Sequence, residues 1–544
     1  MDSDVLLYIT EGRGILNGLV PYVDLFETKP PGMFLLTALS LKTTGDERLL
    51  GILTILCLLI VAAIPAVCAF VWTRQQENRT RRTTIIATAL AAGTLVALYL
   101  ERWATGMEIE IFGGAALSLY AVLVMMRRAS GQSMKQRVLL CGLRALPLFV
   151  SIFLKEYFVF MALAIALLAA PRLREFFEAF ILPLIIALMM HVTTLLLLGY
   201  LSGYLSIYLP VQIGVRFGGM MLEPPWLGAA DVTQLFYHLF GQFPESPVFW
   251  LLIFMLLGCV PLYNREKVTM KTATWTIVLW TVLFILWEEL YILLLWGYTL
   301  TQGTWIIAAH PFLLAPLALC TALLLLWMLR SKTHRTLSPH LILPLAAIYI
   351  MQYAIVGAGG AGNHFAAAAP VYIVLVLQAL RSVIRPGQAG ARVGILLGGL
   401  VIAAVLLYRT SADDWNRLRG NAEFAPRNNA DQIARLDALM DRCGIDRFYD
   451  LGGLHPFAFA RHSMWGPLPS LDLFEYLEDR DHPLARATEE NLANRNLLLL
   501  APPEIKNPKT RGFVETHFTR TPPPCAAGIL PLQKREIWFR TDAL

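Results

Sequence analysis

An all-α polytopic membrane protein with a small soluble α/β domain at its C-terminal end is the fold class this sequence predicts. Three observations predict it. Of 544 residues, 56% are hydrophobic, and the mean hydropathy is +0.57. Charged residues make up only 15%, against about 25% in soluble domains. The apolar residues also gather into runs near the ~20 residues needed to cross a bilayer. These runs stop at about residue 408, after which acidic and basic residues come near balance. Residues 1–408 therefore read as the membrane domain and 409–544 as a soluble, extracytoplasmic one.

Twelve spans are expected: Leu49–Trp72, Thr84–Leu100, Ile109–Met126, Val138–Leu154, Tyr157–Ala170, Phe180–Leu201, Pro247–Tyr263, Thr274–Tyr298, Trp305–Met328, Leu341–Val356, Ala366–Ile384 and Val393–Tyr408. Phe34–Leu41 is apolar but too short to span, and is expected to dip into the interface. The loops alternate in charge. RQQENRTRR, RRASGQSMKQR, PRLRE, NREKVTMK, LRSKTHR and RSVIRPGQAGAR follow every second span, and the positive-inside rule places such loops in the cytoplasm. The other side receives a first outer loop at 1–47, the Glu101–Glu110 turn, a long outer loop at 202–246, the Gly357–Phe365 loop and the tail from Arg409. This bias accounts for the net charge of +6. No basic stripe carries interleaved aromatics, so no nucleic-acid partner is expected. A chain that begins outside lacks the usual insertion helix before its first loop, so the natural start is expected to lie upstream of Met1.

In the tail, Ala430–Asp441 patterns as an amphipathic helix, while Arg447–Leu451, Asn494–Leu500 and Ile537–Phe539 pattern as strands. Of seven cysteines, Cys57, Cys68, Cys141, Cys259 and Cys320 fall in or beside apolar runs and read as small buried thiols. Cys443 and Cys525 lie in the tail. Outside the cytoplasm they are compatible with a disulfide or with two free thiols.

The stretch from Asp2 to Pro31 holds two acidic clusters, Asp2/Asp4 and Asp24/Glu27, and then Lys29 before a Pro-Pro pair. Proline fixes φ and restricts the residue before it, so Lys29 is held in one place. Carboxylates beside a fixed cation suit a site that activates a hydroxyl and grips a phosphate; residue types alone suit a solvated loop equally. The order D-S-x-V-x-L-Y, I-L-x-G-x-V-P-Y-x-D and K-P-P-G, running from Asp2 to Gly32, resembles the first extracytoplasmic loop of bacterial GT-C glycosyltransferases. That superfamily includes protein O-mannosyltransferases and lipid A aminoarabinose transferases. About two extra residues stand between Tyr8 and Ile15 relative to the family pattern.

The resemblance implies a GT-C-like bundle that takes a sugar, hexose or pentose, from a polyprenyl-phosphate donor. The acceptor would be an extracytoplasmic glycolipid, lipopolysaccharide or protein, and the configuration would invert. It implies Asp2 as catalytic base, with Asp4 as its alternate, and Lys29 near the carrier phosphate. Asp24 and Glu27 would tie the loop down or hold a divalent ion; some members use a metal, but no ligand cluster here demands one. Glu110 matches an acidic position at the active-site rim, though a carboxylate at a helix N-terminus is also explained by the helix dipole. Glu108 and Glu101 suit that simpler role. Lys155, beside Glu156 at the end of a span, is a second phosphate candidate or a membrane anchor. His364 sits in GAGGAGNHF, which resembles a late loop near the carrier, with Phe365 where tyrosine is usual. Arg216 is a phosphate partner by charge alone. Glu288 and Glu289 lie in an apolar run, where ionisable groups default to function. His191 and His310 read as polar contacts inside the bundle.

Two rival activities fit parts of the pattern. A transporter or flippase of a lipid-linked intermediate would use Glu288 and Glu289, but the internal repeats usual in transporters are not seen. An O-antigen ligase or polymerase would rely on basic and histidine residues in a large outer loop. A catalytically dead scaffold acting through its tail would tolerate Asp2→Asn.

Overall fold

The computed structural model describes residues 3–210 apart from 26–28, 75–77, 102–108, 126–132 and 171–172, a helix at 369–384 and, with gaps of which 465–485 is the longest, 430–541. The four expected spans between Pro247 and Val356, and Val393–Tyr408, lie outside the described residues. So do Asp2, Glu27, Glu108, Arg216, Glu288, Glu289, His310, His364 and Phe365.

The segment read as a first outer loop is largely helical. α1 (Ser3–Leu16) and α2 (Gly32–Thr44) pack on one another. α1 is buried from Leu6 to Gly12, a stretch that takes in Thr10 and Glu11 as well as the apolar Leu6–Ile9 run. Gly12 permits the contact, since a Cβ there would stand 2.8 Å from the Ala38 nitrogen. Gly45, at φ 79°, ends α2 by returning its N–H to the Leu41 carbonyl, a left-handed stop that favours glycine.

Next come α3 (Arg48–Thr73), α4 (Arg79–Glu101), α5 (Ile109–Met125), α6 (Met134–Leu154), α7 (Phe158–Ala169) and a helix over Leu173–Leu197 with a π-turn at Phe177–Ile181. Three of these, Arg48–Thr73, Met134–Leu154 and Leu173–Leu197, are long and apolar enough to cross a membrane. α6 begins four residues before the expected Val138. Ser133 and Gln136 form a capping box that brings the polar Met-Lys-Gln-Arg turn into the helix. α7 has 12 residues, roughly 18 Å of helix, short of the ~30 Å hydrocarbon layer.

Apolar side chains face outward in helical register. On α3, Ile52, Ile55, Leu59, Val67 and Phe70 are each more than half exposed. α6 and the Leu173–Leu197 helix carry similar stripes at Val138, Leu139 and Leu146, and at Met189 and Leu196. Such patches are a liability in water and the normal surface against lipid. Inside, α5 is buried along nearly its whole length and touches α3, α6, α7 and the Ala369–Ile384 helix. At the far end of α6, Arg137 pairs with the Glu178 carboxylate at 2.5 Å, and Arg144 donates to the Leu123 and Glu178 carbonyls.

α3 and α4 approach closely at Gly93, where a Cβ would collide with the Ala62 carbonyl. Gly93→Ala must push two backbones apart, and overpacking of this kind costs about 1–3 kcal/mol. A lowered unfolding midpoint in detergent is the expected result; a midpoint equal to wild type would refute the close approach.

The C-terminal region is α/β, as the pattern anticipates. Strands β1 (Arg447–Asp450), β2 (Ser463–Met464), β3 (Leu498–Ala501), β4 (Phe518–Thr519) and β5 (Glu536–Arg540) form one sheet in the order β2-β1-β3-β5-β4. β1 is parallel to β2 and β3, whereas β5 runs antiparallel to β3 and β4. The helices Ala430–Cys443 and Pro508–His517 complete it. Buried Asp450 in β1 pairs with Arg535 at 2.8 Å. Cys443 and Cys525 form a disulfide across 82 residues, resolving the choice left open by sequence. Among the described residues Cys57, Cys68 and Cys141 are free thiols, of which Cys68 is buried and the other two are partly exposed.

Leu19 and Leu25, from the turn after α1, belong to the core of the C-terminal region. Asn17 donates to the Arg461 carbonyl at 3.4 Å, and Asp437 acts electrostatically on Arg13.

Candidate functional site

Lys155 ends α6. Its backbone swings to φ −162°, ψ 117°, breaking the helix, while its N–H still closes on the Ser151 carbonyl. The side chain does not snorkel: it is 7% exposed and donates to Glu110 Oε1 at 2.5 Å. Glu110, in the first turn of α5, is fully buried. The Tyr157 hydroxyl donates to the same oxygen at 3.2 Å, and the Lys155 ammonium lies 4.9 Å from the Tyr157 ring centroid. Two residues with simple surface readings thus form a buried ion pair at the mouth of three helices. Desolvating such a pair is costly and is offset by further donors, of which Tyr157 supplies one to the same oxygen.

The neighbouring Glu156 is held from another direction. After Gly199 (φ 76°) ends the Leu173–Leu197 helix, the chain re-enters helix at Leu201–Gly203 and makes a π-turn at Tyr204–Tyr208. The expected outer loop at 202–246 therefore starts as helix. The Tyr204 hydroxyl donates to Glu156 Oε1 at 2.8 Å and that of Tyr208 to Oε2 at 3.1 Å. Burial, reinforced by the Glu156 charge, raises both phenols far above their usual range, so they remain donors. π-turns of this kind are frequent at functional sites.

The Lys29 segment meets the same place. Gly32 lies against α6, where a Cβ would stand 2.6 Å from the Phe153 carbonyl oxygen and 3.1 Å from the Leu154 Cα. The glycine of K-P-P-G thereby seats the chain three residues after Lys29 on the residues just before Lys155. The Lys29 ammonium sits 5.0 Å from the Tyr8 ring centroid of α1, and its carbonyl accepts from the Tyr22 hydroxyl at 2.9 Å. Asp24 closes its own turn by accepting the Val20 N–H at 3.0 Å.

Of the expected site residues, Lys29, Asp24, Lys155 and Glu110 gather at one end of the described bundle. Asp4 falls in the first turn of α1, described for its backbone only, and Glu101 likewise closes α4. Asp2, Arg216 and His364 lie outside the described residues. Sequence reading passed over Tyr8, Tyr22, Tyr157, Tyr204 and Tyr208, and gave Glu156 no role. A signal existed: Tyr200, Tyr204 and Tyr208 recur at every fourth residue, and Tyr22 stands inside V-P-Y-x-D. His191 is buried as expected, but its contacts are rings, Phe153 and Tyr204 at 5.5 Å each. Among the described residues no group of three or more His, Cys, Asp or Glu is arranged to hold a metal ion.

No protein-family model matches the chain, and no curated protein does. Two solved structures are similar. One is the crystal structure of ArnT from Cupriavidus metallidurans in the apo state, 12% identical, with the match covering 99% of this chain and 93% of that chain at a TM-score of 0.38. The other is ArnT from the same organism bound to undecaprenyl phosphate, 11% identical over the same shares, also at 0.38. A likeness at this TM-score carries no weight for activity.

Proposed function

We propose that the chain is an integral-membrane glycosyltransferase of GT-C architecture, moving a sugar from a polyprenyl-phosphate donor to an acceptor hydroxyl outside the cytoplasmic membrane. One observation carries the reading: the Lys29 turn is seated by Gly32 at the end of a lipid-facing helix, beside the buried Lys155–Glu110–Tyr157 group. A lipid carrier diffusing in the bilayer would present its phosphate at such a place. The GT-C-like order of residues from Asp2 to Gly32 supports the same assignment. The positive-inside alternation of the loops supports an outer position for this end, and a disulfide in the tail fits an oxidising compartment.

In this mechanism the Asp2 carboxylate, with Asp4 as alternate, takes the proton of the acceptor hydroxyl as its oxygen attacks the anomeric carbon. The bond from that carbon to the carrier phosphate breaks, its electron pair leaves with the phosphate, and the configuration inverts. Lys29 steadies the departing charge. Lys155 contributes to the positive field, and Glu110 keeps it in place; Arg216 and His364 complete the phosphate set. Asp24 serves by closing its turn, and no step requires a metal.

Native mass spectrometry of the detergent-purified protein tests this. A retained mass matching a polyprenyl phosphate is expected in wild type and Asp2→Asn and absent in Lys29→Ala, with transfer lost in both variants. Finding no such lipid in any form, or one indifferent to Lys29, would move the transporter and scaffold readings ahead.

A further inference from the structure

Apart from Asp24, which closes it, the V-P-Y-x-D turn has no part in the chemistry just described, yet it is built under constraint. Tyr22 has φ 65°, a region residues with a Cβ seldom occupy and where an observed outlier points to function. Several contacts hold it there. Its N–H donates to the Leu25 carbonyl at 2.5 Å, and Pro21 bridges to Leu25. Its ring is almost wholly buried, with the Tyr208 and Tyr204 rings at 4.8 and 5.9 Å. Gly203 makes room for it, since a Cβ there would stand 3.0 Å from the Tyr22 Cβ. Those two tyrosines are in turn fixed on Glu156, and the flanking Leu19 and Leu25 are anchored in the core of the C-terminal region.

The one polar group that Tyr22 extends from this mount reaches Lys29, donating to its carbonyl at 2.9 Å. Lys29 precedes two prolines, which supply no N–H to hold the following backbone. The phenol therefore adds a hydrogen-bonded anchor at the Lys29 carbonyl to the restriction that the prolines impose on the backbone.

We propose that Tyr22 is a positioning residue for Lys29. Braced between the Glu156 tyrosines and the C-terminal region, it sets where the lysine's ammonium meets a carrier phosphate. This rests on the reading of Lys29 as the phosphate ligand. Because Leu19 and Leu25 flank Tyr22, the C-terminal region acts on the site through the same turn.

Binding of a polyprenyl monophosphate and of the matching polyprenol, which lacks the phosphate, tests the proposal. Both would be titrated into the full-length wild type, Tyr22→Phe and Lys29→Ala. Tyr22→Phe keeps the ring and deletes one hydrogen bond, so the preference for phosphate over alcohol should fall roughly fivefold, with polyprenol affinity unchanged. A merely structural role would weaken both lipids alike, and that result overturns the proposal. So does a wild-type preference in Tyr22→Phe while Lys29→Ala loses it, which leaves the Lys29 assignment standing. A preference that survives Lys29→Ala removes the Lys29 assignment, and the role of Tyr22 with it.

Discussion

Replacing Cys443 and Cys525 together by serine should lower the stability of the C-terminal region by about 4–5 kcal/mol, the chain-entropy value for opening a loop of this length. The bond spans 82 residues and ties the end of the Ala430–Cys443 helix to the turn at Pro524–Ala526. That helix also holds the residues leading into β2, with Asp437 accepting the Arg461 N–H and Asp441 pairing with His462 at 3.0 Å. Hydrogen exchange on the full chain is the measurement. Protection should fall in the helix and, because Leu19 and Leu25 share that core, in the turn after α1 as well. Loss confined to the tail would show that the two parts are not coupled; unchanged protection throughout would show that the bond does not brace this core.

Lys155→Ala should destabilise the bundle by about 3–5 kcal/mol, because it strips the cation from a fully buried carboxylate. The companion experiment replaces both charges by neutral side chains of similar size, Lys155→Met with Glu110→Gln. Buried pairs exchanged together are often near neutral, so the double variant should regain most of the unfolding midpoint lost in the single one. Equal losses in single and double variants would show that Lys155 acts alone. If the lysine also helps hold a carrier phosphate, the double variant should recover its midpoint while still binding the lipid weakly. That separation divides the structural part of Lys155 from its proposed functional part.

These two effects arise at contacts that differ in how far they could be read in advance. The membrane helices were legible because lipid selects a long apolar run, a property each segment carries alone. Their ends were less so: α6 runs back to Met134 through three polar or charged positions, Lys135 to Arg137, because a capping box outweighs their polarity. In the tail, β1 and β5 lie within one residue of the expected bounds, while β3 starts at Leu498 rather than Asn494; the short apolar runs there are edged by turn residues. The short α2 was seen as apolar, but α1 was hidden by the acidic residues that made its segment look like a loop.

The site was legible by residue type and not by partnership. Lys155 and Glu110 each had a sufficient explanation as single residues, an anchor and a helix end. Their contact joins positions 45 residues apart, and no periodicity encodes that distance. The same holds for Glu156, whose two phenol donors lie 48 and 52 residues onward.

Sequence by itself therefore determined the long apolar helices of the described bundle, the α/β character of the tail and the Asp-Lys-Pro-Pro stretch that nominates the site, but neither α1 nor the helical start of the 202–246 segment. Each feature so determined follows from interactions of a residue with solvent, lipid or its near neighbours along the chain. Only the tertiary structure decided that Glu110 neutralises Lys155, that tyrosines hold Glu156, that Tyr22 braces Lys29 and that the C-terminal core takes in Leu19 and Leu25. Those pairings depend on where helix ends come to rest once glycines such as Gly32 and Gly203 let backbones approach, and packing sets that only after the whole chain has folded.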